Sequence, residues 1–225
     1  MNFPDALFPQ AWAFGAFLPL VVVLVWCLRT APWQRLSDSG QLNVWLGTIV
    51  LLTLIWSMKA GVKPGLNMHL LGATMFTLMF GRELAIVGLS VVLAGVTLNN
   101  ELLGRPGWEA FALNAMVLAV LPSLMADAIR RAVERWLPAN FFIYVFVTAF
   151  FGAGLTVMAT GLIACGLLWG AGVYPATMLG EDYLPYYFLL GFAEAWLNGA
   201  LITLMVVYAP HWVGSFDDER YLLHK

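Results

Sequence analysis

His69 opens the third apolar segment of this chain and is the residue best suited to bind a metal ion. Neutral imidazole is the commonest protein ligand of late first-row transition metals. A lone histidine at the start of a helix also serves as a cap or as a satisfied polar group, so its type alone does not settle its role. Three methionines lie on nearly one helical face, where packing is a better interpretation than a soft Cu(I) site: Met68, Met75 and Met79.

The last apolar segment contains two polar residues that are spaced to form a hydrogen-bonded pair. Glu194 lies near the middle of this segment, and Asn198 follows at i+4 on the same helical face. Ionisable groups in a membrane span are costly and are functional-site candidates by default. A structural buried carboxyl and a functional one both fit this position. Asn114, in the fifth apolar segment, is expected to make an interhelical hydrogen bond.

The catalytic and nucleotide-binding motifs that would indicate other chemistry are missing from the sequence. It contains no GxxxxGK[ST] loop, so the chain cannot by itself power transport with ATP, and no GxSxG or HExxH motif. Three histidines are too few for a bis-histidine haem within the bundle or a histidine-rich di-iron site, because His211 and His224 fall at or beyond the end of the last segment. We expect a protein that is not an enzyme and has no prosthetic group.

The composition places these residues in a membrane. Of 225 residues, 61% are hydrophobic and 11% charged, and the mean hydropathy is +0.82. A soluble protein of this size could not bury so much apolar surface. The net charge of −2 provides no basic surface for phosphates, which excludes nucleic-acid binding. The two cysteines, Cys27 and Cys165, stand singly in apolar runs and form no disulfide or CxxC framework.

Seven apolar segments predict an all-α, polytopic bundle of seven transmembrane helices in a single domain, 1–225, with a cytoplasmic tail at 209–225. Each segment approaches the ~20 residues that cross a bilayer. We divide 66–98 into a hairpin because Arg82 and Glu83 interrupt it. The predicted spans are 11–28, 43–58, 66–81, 84–98, 108–128, 141–169 and 186–208.

The distribution of basic residues orients the bundle. With the N-terminus outside, the outer loops contain Lys59, Lys63 and Arg105. The inner loops contain eight basic residues, and this excess follows the positive-inside rule. They are Arg29, Arg35, Arg82, Arg130, Arg131, Arg135, Arg220 and Lys225. We therefore expect a multi-pass protein of a bacterial inner membrane, in contact with lipid, whose C-terminus is cytoplasmic.

The order of several short motifs resembles that of the CbiM/NikM proteins, the substrate-capture subunits of energy-coupling-factor (ECF) importers for cobalt and nickel. The resemblance covers essentially the full length. The motifs are Met-x-x-Pro-Asp at Met1 to Asp5, Asn-x-His-Leu-Leu-Gly at Asn67 to Gly72, Asn114-Ala115 and Gly-x-x-Glu-Ala ending at Glu194-Ala195.

The resemblance implies a function and a ligand set. The N-terminus would fold back into the outer mouth of the bundle, and the cargo would be a Ni or Co ion. Met1 would supply its terminal amine, Asn2 its backbone nitrogen, and His69 its imidazole. Nitrogen ligands in a plane suit Ni(II). The partners implied are a coupling subunit and ATPase subunits. Supporting candidates are Asp5, Asn67, Met68, Asn114, Glu194 and Asn198.

The chain departs from the family motif at residue 2, where Asn2 replaces a histidine. Phe3 also stands where a smaller aliphatic residue is usual, and Ala6 where glycine is usual. Loss of the imidazole removes one expected ligand and lowers the expected metal affinity. Another donor, such as Asp5 or Met68, could compensate, the substrate could differ, or the scaffold could persist without metal capture.

The principal prediction is therefore the permease or substrate-capture component of a Co or Ni importer. One alternative is a non-transporting assembly subunit that docks through the glycine-rich stretch at 149–172. A weaker alternative is a small organic molecule, such as a cofactor precursor, bound in the mouth.

Overall fold

The computed structural model describes residues 2–58, 60–61, 63–105 and 107–223. Long helices dominate, joined by a short buried helix and a small antiparallel hairpin. The helices are α1 (Gln10–Thr30, interrupted at Ala16), α2 (Ser39–Ser57), α3 (Ala73–Phe80), α4 (Arg82–Leu102), α5 (Phe111–Trp136), α6 (Ile143–Gly170) and α7 (Ala176–Tyr208). The strands are β1 (Ala60–Gly61) and β2 (Asn67–Met68). Short helical turns cover Trp33–Ser37, Pro210–Trp212 and Glu219–Leu223.

Six helices of the described chain, all except α3, are long and apolar enough to cross a membrane. Their outer surfaces carry large apolar side chains: Leu18 and Val22 of α1 are 74% and 61% exposed. A surface of this kind is unfavourable in water and suits the hydrocarbon core of a bilayer. The prediction of an all-α membrane bundle is confirmed.

The predicted count of seven spans is not confirmed, because the third segment, 66–81, contains only a short helix. Residues 67–68 form β2, Gly72 adopts a left-handed conformation (φ +65°), and helix α3 begins only at Ala73. Its eight residues extend about 12 Å, far less than the ~30 Å of a bilayer core. Every residue of α3 is buried, so the other helices enclose it.

The predicted hairpin between the third and fourth segments is confirmed. Helix α3 ends at Phe80, and α4 begins at Arg82. Gly81 between them has φ +85°, a conformation that glycine adopts without steric cost. The chain therefore reverses here rather than continuing as one long helix.

Glycines on α6 and α7 allow these two helices to pack closely. A Cβ atom at Gly154 would lie 3.2 Å from the carbonyl oxygen of Gly191, and one at Gly161 would lie 2.2 Å from the ring of Tyr187. Because these glycines of α6 have no side chain, α7 can pack directly against them. This part of the glycine-rich stretch serves packing within the bundle.

One end of the bundle gathers basic residues that were predicted on the inner side. Asp127 of α5 forms ion pairs with Arg82, Arg130 and Arg131 at 3.2, 2.8 and 2.8 Å. The segment after α7 folds back onto this end. There the backbone nitrogens of Gly214 and Ser215 donate to the carbonyls of Met79 and Leu78, which satisfies carbonyls at the C-terminus of α3.

Candidate metal-binding site

His69 lies immediately after β2 and is buried, with 4% of its surface exposed. The ring of Trp56, at the end of α2, packs against its imidazole at a centroid distance of 4.9 Å. The indole Nε1 of Trp56 also donates to the carbonyl oxygen of Leu71 (3.1 Å), which fixes the loop that follows the histidine. His69 Nδ1 lies 3.0 Å from the carbonyl oxygen of Leu70. Its ring is thus held in one orientation.

The N-terminal segment lies beside this imidazole. The side-chain oxygen of Asn2 is 3.3 Å from Nε2 of His69, and Asn2 is 8% exposed. Met1, the predicted source of the amine ligand, lies outside the described residues. The structure therefore brings two of the three predicted ligand residues into contact.

Two asparagine side chains hold the backbone of the N-terminal segment. Asn67 accepts from the backbone nitrogen of Asn2 (2.8 Å) and donates to its carbonyl oxygen (2.9 Å). Asn114 makes the same pair of bonds with Phe3, at 2.7 and 2.9 Å. Each amide thus satisfies both backbone groups of one residue, as a neighbouring strand would. We call this arrangement the asparagine clamp, formed by Asn67 and Asn114.

The asparagine clamp changes two expectations. Asn114 binds the backbone of residue 3, where an interhelical hydrogen bond was expected. The backbone nitrogen of Asn2, a predicted metal ligand, donates to Asn67. A metal would have to replace that bond, because a nitrogen that donates its hydrogen does not ligate at the same time.

The two donors suggested as replacements for a histidine at position 2 make other contacts. Asp5 accepts from the backbone nitrogen of Ala110 (2.9 Å), just before α5, and so fixes the N-terminal segment to that helix. Met68 lines a different cavity, together with Met178 and Glu181. Within the described chain, no three His, Cys, Asp or Glu side chains group as a metal site would require.

Glu194 and Asn198 on α7 fix the loop between His69 and α3. Both carboxyl oxygens of Glu194 accept hydrogen bonds, one from the backbone nitrogen of Leu71 (3.0 Å) and the other from that of Gly72. The side-chain oxygen of Asn198 accepts from the nitrogen of Met75 (2.8 Å). The two residues therefore cap the N-terminus of α3, whose first backbone nitrogens have no partner within the helix.

The predicted pairing of Glu194 with Asn198 is confirmed, since Asn198 Nδ2 lies 3.2 Å from a carboxyl oxygen of Glu194. Two further contributors were missed. Trp56 packs on His69, and the hydroxyl of Tyr183 donates to the carbonyl oxygen of Asn67 (3.3 Å). Neither aromatic residue belongs to a motif that the sequence would single out.

A cavity of about 580 Å³, which we call the mouth cavity, opens above the clamped segment. Its buried side is formed by amide side chains, among them Asn2 and Asn114. Two exposed cations, Lys63 and Arg105, also line it, whereas its described lining includes no carboxylate. The site thus combines a held imidazole with several amides, among which Asn2 and Asn67 also line this cavity.

Two solved structures are similar to the chain. One, described as a truncated transition metal transporter, has a TM-score of 0.75 and 16% identity, with coverage of 92% of this chain and 99% of its own. The other, described as a transition metal transporter, also has a TM-score of 0.75, with 17% identity and coverage of 94% and 96%. At these identities the likeness shows the fold. No curated protein sequence matches the chain.

A family comparison covers most of the sequence. The model of CbiM, described as the cobalt uptake substrate-specific transmembrane region, matches residues 2–212. The match includes the N-terminal segment, the asparagine clamp, His69 and the residues of α7 that cap α3. The chain therefore belongs to the CbiM family, a family of transporter components rather than of enzymes.

Proposed function

We propose that this chain is the substrate-capture component of an ECF importer for Co or Ni, and that it binds the metal beside His69. The contact between Asn2 and the imidazole, at 3.3 Å, carries the proposal. The asparagine clamp supports it, because it holds residues 2 and 3 where a ligand from the N-terminus would be needed. Met1 would contribute its amine.

The proposal includes the partners and the orientation. The sequence has no nucleotide-binding loop, so separate ATPase and coupling subunits would supply the energy. The chain would lie in a bacterial inner membrane with its N-terminus outside. The grouping of Arg82, Arg130 and Arg131 around Asp127 supports this orientation, since it gathers the predicted inner residues at one end.

A metal titration tests the proposed function. Purified protein is unfolded thermally in detergent with Ni(II), Co(II), Zn(II) or Cu(I). A ligand at one hundred times its dissociation constant stabilises the native state by about 2.7 kcal/mol. We expect Ni(II) or Co(II) to raise the melting temperature of the parent and to leave that of His69→Ala unchanged.

Two variants sharpen the titration. His211→Ala removes an exposed imidazole remote from the site and should respond to metal as the parent does. Asn2→His adds the family's imidazole next to His69 and should increase Ni(II) affinity at least tenfold. A parent and an Asn2→His variant that both fold but bind none of the four metals would contradict metal capture and favour the non-transporting assembly subunit.

A further inference from the structure

A second cavity, of about 600 Å³, lies between the hairpin of β1 and β2 and the first turns of α7. We call it the α7 cavity, and its lining residues come from 60–68 and 178–186. Its described lining includes neither Asn2 nor His69, so it is separate from the proposed metal site. Its volume lies within the range of sites for organic molecules, roughly 300–1,000 Å³.

Side chains of both charges line the α7 cavity. Lys63 lies just after β1, whereas Glu181 and Asp182 lie on α7. The Lys63 ammonium is 3.6 Å from the sulfur of Met178, which also lines this cavity, so its charge lies on this side of the hairpin. Within the described chain, none of the three charged groups forms an ion pair. Opposite charges that share a cavity without pairing favour a zwitterionic ligand, because it gives each of them a partner.

The α7 cavity lies at the level of the lipid headgroups. Helix α7 has 33 residues and extends about 50 Å, which exceeds the ~30 Å of a bilayer core. Because carboxylates are costly in hydrocarbon, the exposed Glu181 and Asp182 place the first turns of α7 outside the core. Tyr186, 52% exposed, follows where the helix enters the membrane, as is common for interfacial aromatic residues. A ligand of the α7 cavity is therefore at the membrane surface.

An apolar face of α7 leads from this cavity into the membrane. Tyr186, Leu189, Ala193 and Leu197 follow one another at intervals of three or four residues, so they share one side of the helix. All four are exposed, Leu189 by 64% and Leu197 by 36%. Leu197 also lines a small apolar cavity with Leu51 of α2, so this side of α7 borders α2. The face suits the hydrocarbon chain of a ligand whose polar part occupies the α7 cavity.

From the charges, the depth and the apolar face, we propose that the α7 cavity binds the headgroup of a phosphatidylethanolamine molecule of the bilayer. Lys63 binds the phosphate, and Glu181 and Asp182 accept hydrogen bonds from the ammonium. An acyl chain lies along Leu189 and Leu197. A primary ammonium donates hydrogen bonds to carboxylates, whereas the quaternary ammonium of phosphatidylcholine has no hydrogen to donate. This inference does not depend on metal capture.

Native mass spectrometry measures the lipid binding directly. The delipidated chain in detergent is mixed with equal amounts of dioleoyl phosphatidylethanolamine, phosphatidylglycerol and phosphatidylcholine, and the bound lipid is identified by its mass. We expect phosphatidylethanolamine to bind about tenfold more tightly than either other lipid, a difference within reach of two partly exposed charge contacts. The same lipid should raise the melting temperature more than the other two do.

Two charge variants separate the headgroup contacts. Glu181→Gln/Asp182→Asn should lose the preference for phosphatidylethanolamine over phosphatidylglycerol, because the ammonium loses both opposite charges. Lys63→Gln should weaken the binding of both lipids, because both carry the phosphate. In lipid-free detergent each variant should melt as the parent does, which establishes that it is folded.

Matched controls remove the same charges at other places. Asp217→Asn/Asp218→Asn removes two adjacent exposed carboxylates after α7. Arg105→Gln removes an exposed cation that lines the mouth cavity and not the α7 cavity. Both controls should bind the three lipids as the parent does.

Three outcomes would overturn the inference. Equal binding of the three lipids would show that the cavity does not recognise this headgroup. An unchanged preference in Glu181→Gln/Asp182→Asn would show that the two carboxylates do not bind the ammonium. If soluble phosphoethanolamine displaces the bound lipid as effectively as excess phosphatidylethanolamine, the cavity is a site for a free zwitterion. None of these results changes the metal titration, which tests the proposed function separately.

Discussion

At the scale of single residues, the site is built by side-chain amides that hydrogen-bond to backbone groups. The asparagine clamp uses one amide for each of residues 2 and 3, and each amide both donates and accepts.

Ala6, a few residues further along, has φ +60°, a left-handed conformation that favours glycine. This backbone explains why glycine is usual at that position in the family that the sequence resembles.

The clamp can be tested with a nearly isosteric change. Asn114→Asp keeps the oxygen that accepts from Phe3 nitrogen but replaces the donor with an oxygen that faces the Phe3 carbonyl. Loss of a buried hydrogen bond with an unsatisfied partner costs about 1–3 kcal/mol. We expect a lower melting temperature, whereas hydrogen exchange at the Phe3 amide should change little because the retained oxygen still accepts from it. An unchanged melting temperature would show that the bond from Asn114 to the Phe3 carbonyl does not hold the N-terminal segment.

At the scale of secondary structure, the short helix α3 depends on its neighbours. Both of its ends are completed by other parts of the chain: Glu194 and Asn198 cap its start, and the backbone nitrogens of Gly214 and Ser215 satisfy carbonyls near its end. An eight-residue helix is not stable alone, and buried polar ends require such partners. Helix α7 thus sets the position of the loop that carries His69.

Substitution of the buried carboxyl tests this support. Glu194→Gln replaces one acceptor oxygen with an NH₂ group that would face a backbone nitrogen of Leu71 or Gly72. We expect a loss of about 1–3 kcal/mol in the free energy of unfolding, measured by denaturant titration in detergent. The control is Glu181→Gln, an exposed carboxyl on the same helix, which should change stability by less than about 0.5 kcal/mol. Equal effects of the two substitutions would refute the capping role.

At the scale of the whole molecule, the two ends of the bundle differ in character. One end contains the N-terminal segment, the hairpin of β1 and β2, and the mouth cavity. The other contains the ion pairs around Asp127 and the segment after α7, which lies against the end of α3. The two ends thus carry different chemistry, with side-chain amides that bind backbone at one end and ion pairs at the other.

Cysteine labelling in intact cells measures the proposed orientation. The changes Glu181→Cys and Gln34→Cys place thiols at exposed positions on the proposed outer and inner ends. A membrane-impermeant maleimide should label the first in intact cells and the second only after permeabilisation. The parent chain is the control, because Cys27 is buried and Cys165 is half-buried within a span. The opposite labelling pattern would reverse the orientation.

Much of the architecture follows from the sequence. Membrane insertion depends on apolar stretches of sufficient length, which are local properties, so six of the seven segments match long apolar helices. The charged pair Arg82-Glu83 predicted the hairpin at Gly81. The order of short motifs predicted membership of the CbiM family. The third segment was misjudged because hydropathy does not distinguish a lipid-spanning helix from a short helix buried in protein.

The sequence by itself determined a helical membrane protein with few polar groups and one well-placed imidazole, because composition and hydropathy require no knowledge of contacts. Only the tertiary structure decided how those groups are used. Asn67 and Asn114 lie 65 and 111 residues from the backbone groups that they hold. Likewise, Lys63 and Arg105 belong to separate loops that meet at one cavity. These pairings arise from the packing of distant helices, which no local pattern specifies.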